Sequence, residues 1–169
     1  MRDCCILDGN AWFRYRTAAI IIEDGKLLLA GSPGVDYLYT VGGAVHIGES
    51  AEEGVKRETL EETGVPYEID RPALIVENFF YGKGGNLDGL KCHCIEFYFL
   101  MKSRGSTDVS CTSTNWDNEP ETLHWAALSD LADTNVKPEF LKTALPEVLK
   151  TGRLIHLKNS YEHPDVFTE

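Results

Sequence analysis

Apolar positions along this chain fall in short blocks separated by polar and glycine-containing breaks. The block Ala18-Ala19-Ile20-Ile21-Ile22 has no polar face, so residues 16–23 are expected to form a central strand covered on both sides. Asp24-Gly25 separates it from Lys26-Leu27-Leu28-Leu29-Ala30, and two apolar runs joined by Asp-Gly predict a tight hairpin. Residues 37–41 read as a short strand ending at Gly42-Gly43, and residues 50–63 as a helix. Residues 73–81 and 93–102 read as strands joined by a loop containing Gly and Asn, and residues 122–128 as a further strand. Ser129 is a candidate cap for a short helix over 129–132. Pro138 can open a last helix over 139–145, which Pro146 is expected to end or kink. There are no repeats. Irregular alternation of strands and helices predicts an α/β fold, a mixed sheet between helices, in a single domain over residues 1–169.

Composition narrows the partners. With 43% hydrophobic and 25% charged residues over 169 positions, the chain is globular and long enough to bury a full core. Its 16 Lys and Arg face 27 Asp and Glu, a net charge of −11. No stripe of basic residues is present to neutralise phosphates, which argues against nucleic-acid polymers and acidic membrane surfaces as partners. No run approaches the roughly 20 apolar residues of a transmembrane helix. Residues 1–8 carry one basic residue and too short an apolar stretch for a signal peptide. Five cysteines, an odd number without disulfide spacing, suit a reducing cytoplasm. Cys92-His93-Cys94 invites a zinc reading, but on a strand Cys92 and Cys94 share one face and His93 points to the other. With no second Cys/His pair to complete a tetrahedral site, packing is the better reading.

The informative segment is residues 42–65, GGAVHIGESAEEGVKRETLEETGV. Ser50 and Glu53 stand at capping-box spacing, and Gly64 is placed for the left-handed residue that ends a helix. Residues 49–62 hold six Glu against Lys56 and Arg57. With Glu58 at zero and about 100° per residue, Glu62 falls near 40° and Glu61 near 300°. Ala51, Val55 and Thr59 fall between about 20° and 100°, so Glu58 and Glu62 extend a small-apolar stripe. A carboxylate on such a stripe is costly unless it is paired or bound to a cation, and Arg57 cannot serve three. Clustered oxygen ligands with spare charge suit a hard divalent ion, Mg²⁺ first and Mn²⁺ second. Gly42, Gly43 and Gly48 allow the preceding loop to fold close to the helix and offer a bare carbonyl to a metal.

This segment resembles the Nudix box, G-x5-E-x7-R-E-U-x-E-E-x-G-U with U aliphatic. Gly43, Glu49, Arg57, Glu58, Glu61, Glu62, Gly64 and Val65 match it. Thr59 stands at an aliphatic position, and Val41 stands where many members have Pro before the Gly-Gly. The wider chain, most of residues 15–145, is similar to small bacterial Nudix (MutT-like) proteins. The resemblance implies a Nudix-type α/β/α sandwich with a mixed sheet. It also implies Mg²⁺-dependent hydrolysis of a nucleoside diphosphate linked to another moiety: a nucleotide sugar, ADP-ribose or a nucleoside triphosphate.

The same resemblance implies metal ligation by Glu58, Glu61, Glu62 and the Gly42 carbonyl. Glu58 is then the first candidate for general base, with Glu61 completing the set and Arg57 orienting a glutamate. Some members recruit a carboxylate from a later loop, and the candidates for that extra base or ligand are Glu119 and Glu121. For substrate binding, Arg16, Asn78 and Phe80 lead: Asn78, Phe79, Phe80 and Tyr81 are candidates to hold a base, and Arg14 and Arg16 are candidates to contact phosphate. His46 sits in the glycine-rich loop, where solvent exposure is expected, and His124 and Trp125 belong to a strand. A nucleotide-sensing module without catalysis is the alternative, and the intact box carboxylates weigh against it. Leu60, near 200° on the helix and off the apolar stripe, is either a homodimer contact or simply an exposed leucine.

Overall fold

The computed structural model describes residues 2–83, 85–111, 113–114 and 118–160. Its elements in chain order begin with β1 (Cys5–Asp8), β2 (Ala11–Ile20), β3 (Ile22–Glu23), β4 (Lys26–Gly31), β5 (Leu38–Tyr39) and α1 (Ala51–Thr63). They continue with β6 (Ile69–Tyr81), β7 (Lys91–Met101), β8 (Thr122–Ala127), β9 (Val136–Lys137), α2 (Leu141–Thr151) and β10 (Ile155–Ser160). No helix among the described residues is long and apolar enough to cross a membrane.

The α/β architecture with mixed strand directions is present as expected, its strands divided between two five-stranded sheets. The first runs β1-β2-β7-β6-β10, with β2 parallel to β7 and β10 parallel to β6. The second is built on β4, which pairs with β8 along its length and with β3 and β5 at its two ends, while β9 extends β5. The strand expected over 16–23 is in fact shared between them, because the chain passes from the first sheet to the second at Ile21. Asp24 and Gly25 then turn the hairpin with φ of 48° and 72°, the left-handed pair that suits a two-residue turn.

The all-apolar block is covered on both sides, as its pattern predicted. Ala18 and Ile20 join Leu27, Leu29, Leu74, Val76 and Tyr98 in a core beneath α2. Ala19 and Ile21 join Leu28, Val41, Val55, Phe99 and Met101 in a second core beneath α1. Helix α1 keeps its predicted ends: Ser50 and Glu53 exchange a full capping box, and Gly64 at φ 70° returns its N–H to the Leu60 carbonyl. Leu60 is 48% exposed, off the buried stripe.

Two helical expectations are corrected. Residues 128–130 form a single 3₁₀ turn, and Ser129 caps nothing, since its hydroxyl donates to the Asp130 carboxylate. Helix α2 starts and ends later than expected and runs through Pro146 to Thr151. Proline inside a helix costs about 3 kcal/mol. Here Leu141, Ala144, Leu145 and Val148 bury a continuous apolar stripe on both sides of the proline, and that burial outweighs the lost bond.

Candidate active site

The site is built on the edge of β2. Beyond β1, that edge is occupied by the loop between β5 and α1. Ala19 N–H donates to the Val41 carbonyl, Thr17 N–H to Gly43, and Val45 N–H to the Tyr15 carbonyl. The approach is close enough to require glycine. A Cβ on Gly42, whose φ is 137°, would lie 2.3 Å from the Thr17 carbonyl oxygen. A Cβ on Gly43 would lie 2.5 Å from a Glu58 carboxylate oxygen, so the Glu58 head group rests directly on the bare Gly43 backbone. Val41, where proline is common in the resembling family, is fully buried and the loop closes regardless. Thr59 is also fully buried, its hydroxyl donating to the Val55 carbonyl one turn back.

Arg57 organises the glutamates. Its Nε and Nη2 grip both oxygens of Glu49 at 2.9 and 3.0 Å, and Nη2 also reaches the Ala44 carbonyl at 3.0 Å. Its Nη1 donates to Glu58 at 2.6 Å and Glu61 at 3.1 Å. Five hydrogen bonds thus use the five N–H donors of the guanidinium. The Glu49 and Glu58 carboxylates hold Arg57 in its charged form, and Arg57 in turn holds the Glu49 carboxyl down at about 2.

Glu62 has a different environment. It is buried, and one oxygen accepts the Gly42 N–H at 2.9 Å. Burial pushes its pKa up to about 8 against that hydrogen bond, and the charges of Glu58 and Glu121 add to the rise. Glu121 reaches the same place from the segment before β8, accepting hydrogen bonds from the Tyr39 and Ser113 hydroxyls.

Glu58, Glu61, Glu62 and Glu121 line one cavity of about 270 Å³, together with Gly42 and Gly43. Among the described residues no three potential ligands are already drawn around a single point. Arg57 draws Glu58 and Glu61 toward itself. The donor set nonetheless fits a hard divalent ion: all oxygen, one carboxylate buried and short of compensating charge, and glycine backbone within reach.

Other expected residues separate. Arg16 is committed to protein acceptors: the Thr40 carbonyl at 3.0 Å, the Gly42 carbonyl at 3.4 Å and Glu96 at 3.9 Å. It supports the loop that carries the site and is absent from the cavity wall, whereas Arg14 is on that wall. Asn78 is buried, donating to Glu96 at 2.7 Å and accepting from Asn159 at 2.8 Å, so both ends of its amide are engaged. Phe80 packs against Trp12, Cys92 and Cys94. Neither Asn78 nor Phe80 lines the cavity. Glu119 is exposed, two residues from Glu121. His46, expected to be exposed, is instead half-buried between Asp3 and Glu49. Cys92 and Cys94 are buried on one face of β7, while His93 stacks on Phe79 on the other, as strand geometry required.

The sequence pattern missed Glu96, which accepts from Asn78 and Tyr98, and Asn159, which donates to Asn78. A lone acid in the apolar run of β7 was the available signal, because a buried carboxylate demands donors. Asp3, Ser113 and Thr114, also on the cavity wall, carried no such signal.

Comparison with known proteins bears on the family and the fold. Residues 13–147 match the family model described as the NUDIX domain. No curated protein matches the chain in sequence. Among solved structures, a MutT NUDIX hydrolase from Burkholderia pseudomallei is similar at 25% identity, covering 69% of this chain and 84% of its own, with a TM-score of 0.54. The MutT protein from Methanosarcina mazei Go1 aligns at 20% identity over 87% of this chain and 99% of its own, with a TM-score of 0.64. A UDP-X diphosphatase aligns at 21% identity over 89% of this chain and 69% of its own, with a TM-score of 0.59. With four-fifths of its length matched by the family model and its carboxylates gathered on one cavity, this chain belongs to the NUDIX family of hydrolases.

Proposed function

We propose that this protein hydrolyses the pyrophosphate linkage of a small nucleoside diphosphate derivative, using Mg²⁺ with Mn²⁺ as a substitute. The observation that carries the reading is the convergence of Glu58, Glu61 and Glu62 of α1 with Glu121 on one cavity beside the Gly42-Gly43 backbone. Glu58, Glu61, Glu62 and the Gly42 carbonyl are the proposed metal-holding groups. When bound, the ion supplies Lewis acidity and screens the phosphate charge from the carboxylates.

The chain's own residues do the rest. Arg57 fixes the directions of Glu58 and Glu61, and its grip on Glu49 anchors that fork to the loop. Hydrolysis joins a water oxygen to phosphorus while a bridging P–O bond breaks, and a carboxylate must accept the water's proton. Glu58 is the first candidate for that role and Glu121 the second. An acidic surface without a basic groove favours a small substrate over an RNA or DNA chain.

The test is incubation with Mg²⁺ and a panel of nucleotide sugars, ADP-ribose, dinucleoside polyphosphates and nucleoside triphosphates, with products identified by mass. Glu58→Gln and Glu62→Gln should each lower the rate by two or more orders of magnitude while the circular dichroism stays native. Wild-type rates in both variants refute the site. Tight binding of one panel compound without turnover by the wild type refutes catalysis in favour of a sensor.

A further inference from the structure

Three arginines lie around the candidate site, and they are used very differently. Arg16 and Arg57 are spent on carbonyls and carboxylates of the protein. Arg14 lines the cavity alongside Glu58, Glu61 and Glu62. Among the described residues no carboxylate lies within ion-pair distance of it. Its Nε is sealed from solvent and has no hydrogen-bond partner. Around it stand the Trp12 ring, 5.9 Å from the guanidinium carbon, and Cys5 and Cys94, its register neighbours on β1 and β7, while the charges of Arg16 and Glu58 also act on it. Burial pushes both thiols upward, so they stay neutral and offer no countercharge.

A sealed donor without an acceptor is costly, and so is a largely buried guanidinium with no carboxylate paired to it. The arrangement becomes favourable when an anion enters. A metal ion alone cannot meet the need, because Arg14 repels it. A neutral nucleoside cannot meet it either. A phosphate group matches both the charge and the planar fork of arginine donors.

We propose that Arg14 binds the phosphate oxygens of the substrate, so that the pyrophosphate spans the cavity between the carboxylate wall and this guanidinium. This rests on the pyrophosphohydrolase reading and specifies where its anionic group lies. The substrate is then the ion that joins two unbalanced halves of the cavity, one acidic and one basic.

The assignment makes opposite predictions for two ligands, which separates it from a merely structural role. Removing Arg14 weakens binding of the anion but not of the metal. The probes are Mn²⁺ alone, followed by electron paramagnetic resonance, and the non-hydrolysable imidodiphosphate in the presence of Mg²⁺, followed by calorimetry. Arg14→Gln should weaken imidodiphosphate tenfold or more and leave Mn²⁺ affinity unchanged or tighter. Arg14→Lys, which keeps the charge but loses the fork, should fall between Arg14→Gln and the wild type. Equal imidodiphosphate affinity in natively folded Arg14→Gln and wild type overturns the proposal, as does parallel loss of metal and anion. If Arg14→Gln fails to fold, wild-type imidodiphosphate affinity in Arg14→Lys, with no loss relative to the native fork, overturns it equally. Because binding is read without turnover, an Arg14-dependent anion site in a protein that cleaves no nucleotide would overturn the hydrolase reading and leave this one standing.

Discussion

The Glu49–Arg57 pair should make a pH-dependent contribution to stability whose size follows from its geometry. Glu49 accepts two hydrogen bonds from Arg57 and one from the His46 N–H at 2.9 Å. Arg57 is the main cause that holds the Glu49 carboxyl at about 2, against the ordinary 4.5. At about 1.4 kcal/mol per unit, the difference sets a ceiling of about 3 kcal/mol. Water reaches part of the Arg57 side chain, which is 22% exposed, and screening lowers the expectation to about 1–2 kcal/mol. The native carboxyl is the stronger acid, so the contribution is complete above the unfolded value of 4.5 and is lost as pH falls through about 2. The two-state titration leaves about 60% of it at about pH 3.5 and about a quarter at about pH 2.5. Glu49→Gln keeps the shape and removes the charge. Urea unfolding of wild type and variant in EDTA, followed by circular dichroism from neutral pH downward, should show a deficit that shrinks along that curve. A deficit of constant size at all pH values would mean that shape, not charge, makes the contribution. No deficit at neutral pH would mean that the fork is not formed.

The two loop glycines should respond differently to alanine. Gly42→Ala drives a Cβ into the Thr17 backbone at a φ of 137° and should cost about 2–4 kcal/mol in thermal unfolding. Gly43→Ala meets only the flexible end of Glu58, so melting should change little while Mn²⁺ affinity falls; the reverse order would refute the packing argument. Glu121→Gln should lower kcat by at least about tenfold with little change in KM, if that carboxylate takes part in proton transfer. Tyr39→Phe, which removes one of the two hydroxyls that hold Glu121, should shift kcat in the same direction by less. An unchanged kcat in both variants removes Glu121 from the chemistry.

Much of the site was legible because it is local. A helix places residues 58, 61 and 62 by its own period, and its caps at Ser50 and Gly64 are chemical signals within one turn. The glycine loop was readable for the same reason, since close approach demands missing side chains. The elements that were missed or misplaced depend on distant contacts. Nothing near residues 155–160 announces β10, whose alternating exposure is set by its parallel pairing with β6. Helix α2 passes through Pro146 because of a core that lies elsewhere in the chain.

Arg14 and Arg16 show where local reading stops. They are two residues apart on one strand, so they share a face, and their sequence surroundings are nearly symmetrical about Tyr15. Register alone distinguishes them. β7 sets Glu96 across from Arg16 and Cys94 across from Arg14. One arginine therefore meets an acid that also accepts hydrogen bonds from Asn78 and Tyr98, and it becomes part of the scaffold. The other meets a neutral thiol and keeps its charge for the cavity. A slip of two residues in β7 would set Glu96 across from Arg14 and Tyr98 across from Arg16 without altering any local pattern. The chain's excess acidity divides along the same line. The carboxylates of α1 are held in place by Arg57 on one side of a cavity, and the guanidinium facing it has no protein anion of its own. Charge left unbalanced on both walls is what the proposed metal-bound pyrophosphate would complete.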